Sequence, residues 1–563
     1  MTKRIESKIP FVGLHAHSGL SPFDGLGMPG EHMDFAYENG MGAHALTDHG
    51  HMNGLSFQVE HLKKMRADGK EFRALYGCES YFIRSHKKWR QMYEEHKANQ
   101  KRQKKEEFGM VIETEDRKLK RNPLNDRRHL VMIAQNQTGL NNLFKLVSDS
   151  YQPENFYRYP RMDFEMLDKY NEGLIISTAC MSGPLFGDYW KNRDKSPDHV
   201  LAAMRDTIAQ FKEIFGDRFY GEVQWNDIKE QHEGNNLIIQ ACMEMGVEVI
   251  STADSHYPRP DLWKDREMYK RIGWGGKIPE WADPDSLLPA SVEEVGYELY
   301  PKNGDQMMES YKRYAAKHNI EYDDTFIRDS IERTHHIAFD RCEDFLPDST
   351  VRLPEFVVPE GKTAIQALTS DALEGMKKKN ITDPEYVERL KYELNIIKER
   401  GFAQYFLTMK AISDKAQEEM LVGLGRGSAA GSLLSYVLDI TQVDPIKYQL
   451  QFERFLTKGG TGYPDIDFDV EEPMLLKEQL AEEWGKTTVV PISNFNTLQL
   501  RSLIKDIGKF YNIPFTEVNK VTSVMMSEAT PLAKAAKGQT AGVYTPPFDR
   551  DWETGYYKTC RCL

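Results

Sequence analysis

Between about residues 10 and 275, short apolar runs alternate with longer polar, helix-compatible stretches, and this alternation limits the possible folds more than any other feature. The runs are FVGLH, GAHALTDH, FRALYGCE, GLIISTAC, RFYGEVQ and VEVISTADSH. Each has the length of a strand and is rich in β-forming or small residues. Strand–helix alternation predicts parallel β/α units. Several runs end in His, Asp, Glu or Cys, and β/α barrels build their active sites at the C-terminal ends of parallel strands.

A chain of 563 residues is too long for one hydrophobic core, so two to four domains are expected. Hydrophobic residues make up 40% and charged residues 28%, the balance of a globular protein in water. No run approaches the roughly 20 apolar residues of a membrane span. The N-terminal residues lack the apolar stretch of a secretory signal. Six cysteines in this length make no disulfide framework and fit a reducing cytoplasm. A net charge of −13 argues against a general nucleic-acid coat, but a local basic groove remains compatible with it.

Residues 86–121 interrupt the alternation with a charge-dense, helix-compatible stretch. It reads as a solvated helical insertion or, more sharply, as a nucleic-acid contact. Residues 276–360 are rich in proline and acids and read as a connector. From about 361 the pattern turns helical. Leu390, Leu394 and Ile397 share one helix face, and Gly401 is placed as its C-terminal cap.

Potential metal ligands are concentrated in the first half. His15 and His17 stand two apart after a strand, so both rings can face one ion. Asp24, Asp48 with His49, Glu79, His129 and Cys180 follow, and Asp254 and His256 repeat the two-residue spacing. Any one of them has a plain structural explanation, and Cys180 alone would be a small buried hydrophobe. As a set at strand ends, imidazoles with carboxylates suit zinc, manganese or iron. So many ligands suggest several ions and hydrolysis of phosphate esters.

This order of residues resembles the PHP (polymerase and histidinol phosphatase) family. The resemblance implies a distorted β/α barrel over residues 1–275, with His15, His17, Asp24, His49, Glu79, His129, Cys180, Asp254 and His256 as ligands. All nine family positions are filled, as in members that hold Zn2+, Mn2+ or Fe2+ and act as 3′–5′ exonucleases. Asp48 falls outside that set, and Glu222 and His232 read as structural.

Downstream, GRGSAAGS leads into an apolar helix. Small residues let backbone N–H groups approach a phosphate, and the same residues would equally serve tight helix packing. No G-K-[ST] follows, so it is not a Walker loop. PDIDFD comes next, with carboxylates at alternate positions of an expected strand. Beside a phosphate-binding loop, such a pair can hold two magnesium ions for in-line attack by a 3′-hydroxyl.

Together with ERLKYELNIIKERGFAQYFL, QFERFL and LIKDIGKF, these blocks resemble the C-family replicative DNA polymerases of bacteria and phages, the type of the DNA polymerase III alpha subunit. The resemblance implies an α/β chain: the PHP barrel, a partial polymerase-β-like nucleotidyltransferase palm over 361–475, and a helical thumb over 476–545. Asp465 and Asp467 would be catalytic ligands of Mg2+. Arg426, Gly427, Ser428 and Arg454 would bind the nucleotide. The implied partners are primer–template DNA, deoxynucleoside triphosphates, a sliding clamp and a proofreading subunit, with no membrane, in the cytoplasm of a bacterium or phage-infected cell.

Four features depart from the family. LTKGGTGYPD replaces a more basic stretch, leaving Lys458 as the near cation, and Leu424 stands where proline is common. The third palm aspartate, expected in a K-F-D-F-L-G-L strand, has no counterpart, since Asp506 belongs to an amphipathic helix. The tail 546–563, with Cys560 and Cys562, breaks the resemblance. The expectation is a truncated, frame-shifted or split polymerase, the last completed by a second fragment, with the PHP phosphoesterase acting alone as the alternative.

Overall fold

The structure is a computed structural model that describes residues 4–106, 123–273, 291–350, 355–486, 488–490 and 500–525. The tail with its two cysteines, residues 526–545 of the expected thumb, 107–121 of the insertion and 276–290 of the connector lie outside the described residues. The chain divides into two compact units. One holds 1–348 and 495–563, and the other holds 349–494.

In the first unit six strands form one sheet in chain order: β1 (Ala43–Leu46), β2 (Arg73–Phe82), β3 (Arg128–Ala134), β4 (Leu174–Ser177), β5 (Phe219–Gln224) and β6 (Val249–Thr252). β1 and β2 are parallel, as are β4, β5 and β6. β3 runs antiparallel to both of its neighbours, so the expectation of wholly parallel units fails there. The reason lies in the connection. Phe82 at the end of β2 pairs with Arg128 at the start of β3, so the chain returns at the rim it left and must run back.

FVGLH, expected as a strand, is a closing segment with single bridges. Gly13 bridges His44 on one side and Ala16 bridges Ser255 on the other. Ala45 N donates to Gly13 O at 2.8 Å, and His17 N donates to Ser255 O at 2.7 Å. These bonds join β1 to the end of β6 and close the sheet into the distorted barrel.

Alternation along the strands divides the core. Leu75, Val131, Ile133, Ile175, Tyr220 and Ile250 form one buried cluster, together with Ala43, Ala45, Val12 and Leu14. Ala74, Tyr76, Leu130, Met132 and Ile176 point the other way and join the larger cluster built with the helices. Burying each large aliphatic side chain contributes roughly 1.5–3 kcal/mol. Ile337, Ala338 and Cys342 join the first cluster, so this part of the expected connector belongs to the barrel core. Elsewhere in the expected connector, Asp305 ties down the N-terminal segment by accepting from Lys8 N at 2.9 Å and Ile9 N at 3.2 Å. Helix Leu500–Phe510 packs on helix Trp263–Gly273 through Phe510, Met268 and Ile272.

The second unit packs helices Ala364–Lys378, Pro384–Arg400, Ala403–Glu419 and Leu433–Val437 around Leu368, Ile397, Phe406, Leu434 and Phe452. Helix Pro384–Arg400 starts at Asp383, whose carboxylate accepts from Glu385 N at 2.9 Å. It ends at Gly401 with φ 72°, the left-handed cap expected there. The aspartate stretch is not a ladder strand. Among the described residues it forms one antiparallel bridge, Val422 to Val470. A strand needs a backbone partner along its length, and only 421–423 supply one: Gly423 N donates to Asp469 O at 2.9 Å and Glu471 N to Leu421 O at 3.0 Å. The region expected as the palm therefore carries no sheet among the described residues. The side-chain alternation survives, with Ile466 buried and Asp465 and Asp469 exposed.

Candidate metal centre and nucleotide cleft

The barrel brings nine sequence-predicted ligands to one rim. The closing segment delivers His15 and His17, both fully buried, with their Nε2 atoms 3.1 Å apart. β2 delivers Glu79, which lies at the middle of the group. Its carboxylate is 3.3 Å from His15 Nε2, 3.6 Å from His17 Nε2 and 3.0 Å from His129 Nδ1. It also touches His49 Nδ1 at 2.5 Å. Asp254 Oδ1 lies 3.2 Å from His15 Nε2 and 3.3 Å from His17 Nε2. Asp24 Oδ2 lies 2.7 Å from His49 Nε2 and 3.5 Å from His256 Nε2. Cys180 Sγ stands 3.8 Å from His129 Nδ1. The reversed β3 explains why His129 joins from the start of its strand while Asp254 and His256 follow the end of theirs.

Three triads have ligand atoms close enough to share an ion: His15–His17–Glu79, His49–Glu79–His129 and His17–His49–His256. Both Glu79 oxygens, Asp254 Oδ1 and His49 Nδ1 are buried without an aligned hydrogen bond. Buried polar atoms are normally paired. Donor atoms that converge without pairing suit cations, and this donor set fits them. Asp254 holds φ at 49°, in the left-handed region. Non-glycine residues accept such conformations mainly where the surroundings impose them, often at functional sites.

Charges in the group are coupled. Burial penalises the Glu79 carboxylate, but His129, His49 and His15 outweigh that and hold its pKa well below the ordinary value. Burial, reinforced by His49 and His256, pushes the His17 imidazole well below its usual pKa and keeps it neutral, the state that binds metal. Burial opposes the His49 imidazolium, but Glu79 and Asp24 raise its pKa to about 10.

Two side chains support the ligands: Glu222, which the sequence marks only as structural, and Arg266, which it does not mark at all. Glu222, on β5, is fully buried and accepts from His15 Nδ1 at 2.7 Å, and also from Ser177, Thr252 and Gln224. Its signal was periodicity, because Tyr220, Glu222 and Gln224 share one strand face in RFYGEVQ. Arg266, buried in helix Trp263–Gly273, donates its Nε to Asp24 O at 2.9 Å and pairs with the Asp24 carboxylate. No sequence spacing links those two positions. Asp48 accepts from Ser18 N at 2.7 Å and Ser21 Oγ at 2.7 Å and so shapes the loop before Asp24. His232 Nε2 donates to Asn226 O at 2.9 Å, apart from the ligands.

In the second unit the glycine–serine loop meets the aspartates. Arg426 Nη2 lies 3.3 Å from Asp467 Oδ1, and its Nε lies 3.6 Å from Asp469 Oδ1. Gly427, with φ 68°, packs so closely that a Cβ there would lie 2.2 Å from Asp467 Oδ2. Gly427, Ser428, Gly431, Gln451 and Arg454 line one cleft of about 460 Å³. Asp465 is exposed and has no ion-pair partner among the described residues. Behind the loop, the buried Glu393 accepts from Leu433 N, Leu434 N and Ser432 Oγ, each at 2.9 Å. Arg389 pairs with Glu393 at 2.7 Å and donates to Gly431 O at 2.8 Å. This pair fixes the end of the loop, and sequence reasoning did not identify it.

Residues 13–226 match the PHP domain family, and residues 363–546 match the family described as the bacterial DNA polymerase III alpha NTPase domain. A DNA polymerase III subunit alpha from Borreliella burgdorferi is 31% identical over 519 residues, which is 91% of this chain and 40% of the relative. The protein of that name from Aquifex aeolicus is 30% identical over 525 residues, 92% of this chain and 41% of the relative. The one from Campylobacter jejuni is 28% identical over 546 residues, 92% of this chain and 41% of the relative. The chain thus spans about two fifths of the length of these curated relatives. Residues 13–226 thus carry a PHP domain and residues 363–546 the NTPase domain of bacterial DNA polymerase III alpha subunits, and along about nine tenths of its length the chain is similar to those subunits.

Proposed function

We propose that this chain carries the PHP and palm regions of a DNA-directed DNA polymerase of replication, a nucleotidyltransferase that extends a primer on a DNA template from deoxynucleoside triphosphates. The observation that supports this reading is the fit of Gly427 against Asp467, where a Cβ would lie 2.2 Å from a carboxylate oxygen. It joins a phosphate-type loop to an acidic pair at one place. Gly427, Ser428 and Arg454 line the cleft that would take the triphosphate. Arg426 would exchange its aspartate partner for phosphate. Asp465 and Asp467 would hold Mg2+, which when bound offsets triphosphate charge and activates the attacking hydroxyl. The third carboxylate of the family pattern is not found in these 563 residues, and two of three carboxylates would support only weak turnover. A sliding clamp and a proofreading subunit would complete the assembly, in the cytoplasm of a bacterium or a phage-infected cell. Among the described residues no helix is long and apolar enough to cross a membrane.

Primer extension by the purified chain tests this reading. Weak extension is expected from the chain alone. Efficient extension abolished by Asp465→Ala would show that the two carboxylates of this chain suffice. DNA binding without turnover, with or without a complementing fragment, would leave a non-catalytic module.

The converging barrel ligands favour a second activity, metal-dependent phosphoester hydrolysis of the 3′–5′ exonuclease type. The nine ligands would hold Zn2+, Mn2+ or Fe2+, which when bound supply Lewis-acid activation of the ester. Glu222 would orient His15, and Arg266 would hold Asp24. Metal analysis and nuclease assays on wild type and His15→Ala decide it. Absence of metal, or activity untouched by that substitution, would sink the reading.

A further inference from the structure

A second cleft, of about 620 Å³, lies beside the metal centre, between the base of helix His86–Glu106, the start of β3 and helix Pro184–Asn192. The chain as a whole is acidic, yet the cleft wall carries Arg84, Lys88, Arg127, Arg128 and Lys191 against only Asp126 and Asp188. Arg84 is neutralised by Asp188 at 3.4 Å and Asp206 at 3.2 Å, and Arg128 by Asp126 at 3.5 Å. Lys88, Arg127 and Lys191 have no carboxylate partner among the described residues. Trp190 and Met92 add apolar faces to the wall.

The cations are held in place. Trp89 Nε1 and the buried Arg161 both donate to Leu124 O, at 3.2 and 2.7 Å, and so pin the loop that leads to Arg127. Gly187 sits inside helix Pro184–Asn192, where glycine is less favourable than alanine. The space it leaves is used, because a Cβ there would lie 2.5 Å from Arg128 Nε. Arg127 faces the metal side. Its guanidinium lies 3.7 Å from the Tyr159 ring centroid and 5.1 Å from that of Tyr81. Its Nε is buried without a hydrogen-bond partner. Tyr81 in turn stacks on His49 at 6.2 Å and meets His129 edge-on at 5.4 Å.

We infer that this cleft seats the backbone of a single-stranded nucleic-acid end and leads its terminal phosphodiester past Arg128 and Arg127 to the metal centre. A mononucleotide needs one phosphate site, whereas a row of cations running from surface lysines to the ligands serves a chain. Grooves for single strands combine such cations with flat apolar faces for bases. The direction toward the metal rests on the phosphoesterase reading above. The binding itself does not.

The test uses the full chain and an oligothymidylate carrying 5-iododeoxyuridine, photocrosslinked in EDTA, with adducts mapped by peptide mass spectrometry. Adducts are expected on the peptides holding Met92 and Trp190. They should fall at least tenfold in the double variant Lys88→Glu, Lys191→Glu, whose zinc content stays that of the wild type. Adducts confined to other peptides, or unchanged in the double variant, overturn the inference. Oligonucleotide cleavage is scored separately. Adducts here in a chain that neither takes up metal nor cleaves would sink the phosphoesterase reading and leave the single-strand seat standing. Cleavage without adducts here would do the reverse.

Discussion

His15 Nδ1 lies 2.7 Å from the Glu222 carboxylate, on the far side of the ring from Glu79 and Asp254. A carboxylate only accepts, so Nδ1 carries a proton, and Nε2 is the atom left to bind a cation in the centre. Partners of this kind raise ligand basicity and fix ring orientation. Glu222→Gln is therefore expected to weaken zinc affinity about 10- to 100-fold. Competition against a chelator of known affinity measures it, with circular dichroism as the folding control. An affinity within twofold of wild type would mean that other groups orient His15.

Gly427→Ala should damage both the loop and nucleotide binding. Gly427 has φ 68° and ψ −162°, a region that essentially only glycine uses. Forcing alanine there costs on the order of 1–3 kcal/mol, before the added Cβ meets Asp467. The urea midpoint of the second unit should fall, and binding of a fluorescent deoxynucleoside triphosphate should weaken at least tenfold. Unchanged binding would separate this loop from the nucleotide.

Glu393→Gln tests the pair behind the loop. Gln offers one acceptor oxygen where the carboxylate serves Leu433 N, Leu434 N, Ser432 Oγ and Arg389 Nε. Its amide nitrogen would face a backbone donor. A loss of roughly 1.5–3 kcal/mol is expected, the range for hydrogen bonds to a charged group. Equilibrium urea unfolding reads it, and a change under about 0.5 kcal/mol would contradict the assignment.

Acid should destabilise the barrel through His44. The ring is buried with Nε2 unpartnered, and burial, helped by His32, lowers its pKa to about 3. An unfolded histidine titrates near 6.5. Above that value both states are neutral and stability is flat. Below it the unfolded chain takes up a proton that the folded chain refuses. Stability therefore falls as pH drops from about 6.5 toward 3, by about 1.4 kcal/mol per unit for this ring. Urea unfolding at pH 7.5 and 5 measures the slope, and His44→Gln should flatten it. An identical slope in the variant would place the sensitivity elsewhere.

Local spacing made part of this molecule legible. Two-residue spacing places His15 beside His17 and Asp254 near His256 whatever the rest of the fold does, and Gly401 caps its helix as its position suggests. Long-range geometry was not legible. The direction of β3 depends on which rim the chain returns to after residues 83–127, and no local pattern records that. Glu222 reads as an isolated acid in an apolar run until barrel closure brings His15 over it. The aspartate stretch has the alternation of a strand, but alternation describes side chains and does not supply a backbone partner, and only 421–423 provides one.

The reversed third strand also makes the barrel open to alteration at one place. The excursion from Phe82 to Arg128 leaves and re-enters the sheet at neighbouring positions, so its ends are fixed whatever its length. Lengthening such a loop costs only about 0.6 kcal/mol per doubling. Residues can thus be gained or lost there with the strand register and the ligand positions intact, and whatever they carry is set down at the mouth of the metal centre. The fold separates the rim that gathers the candidate ligands from the excursion beside it, and the second can change while the first stays fixed.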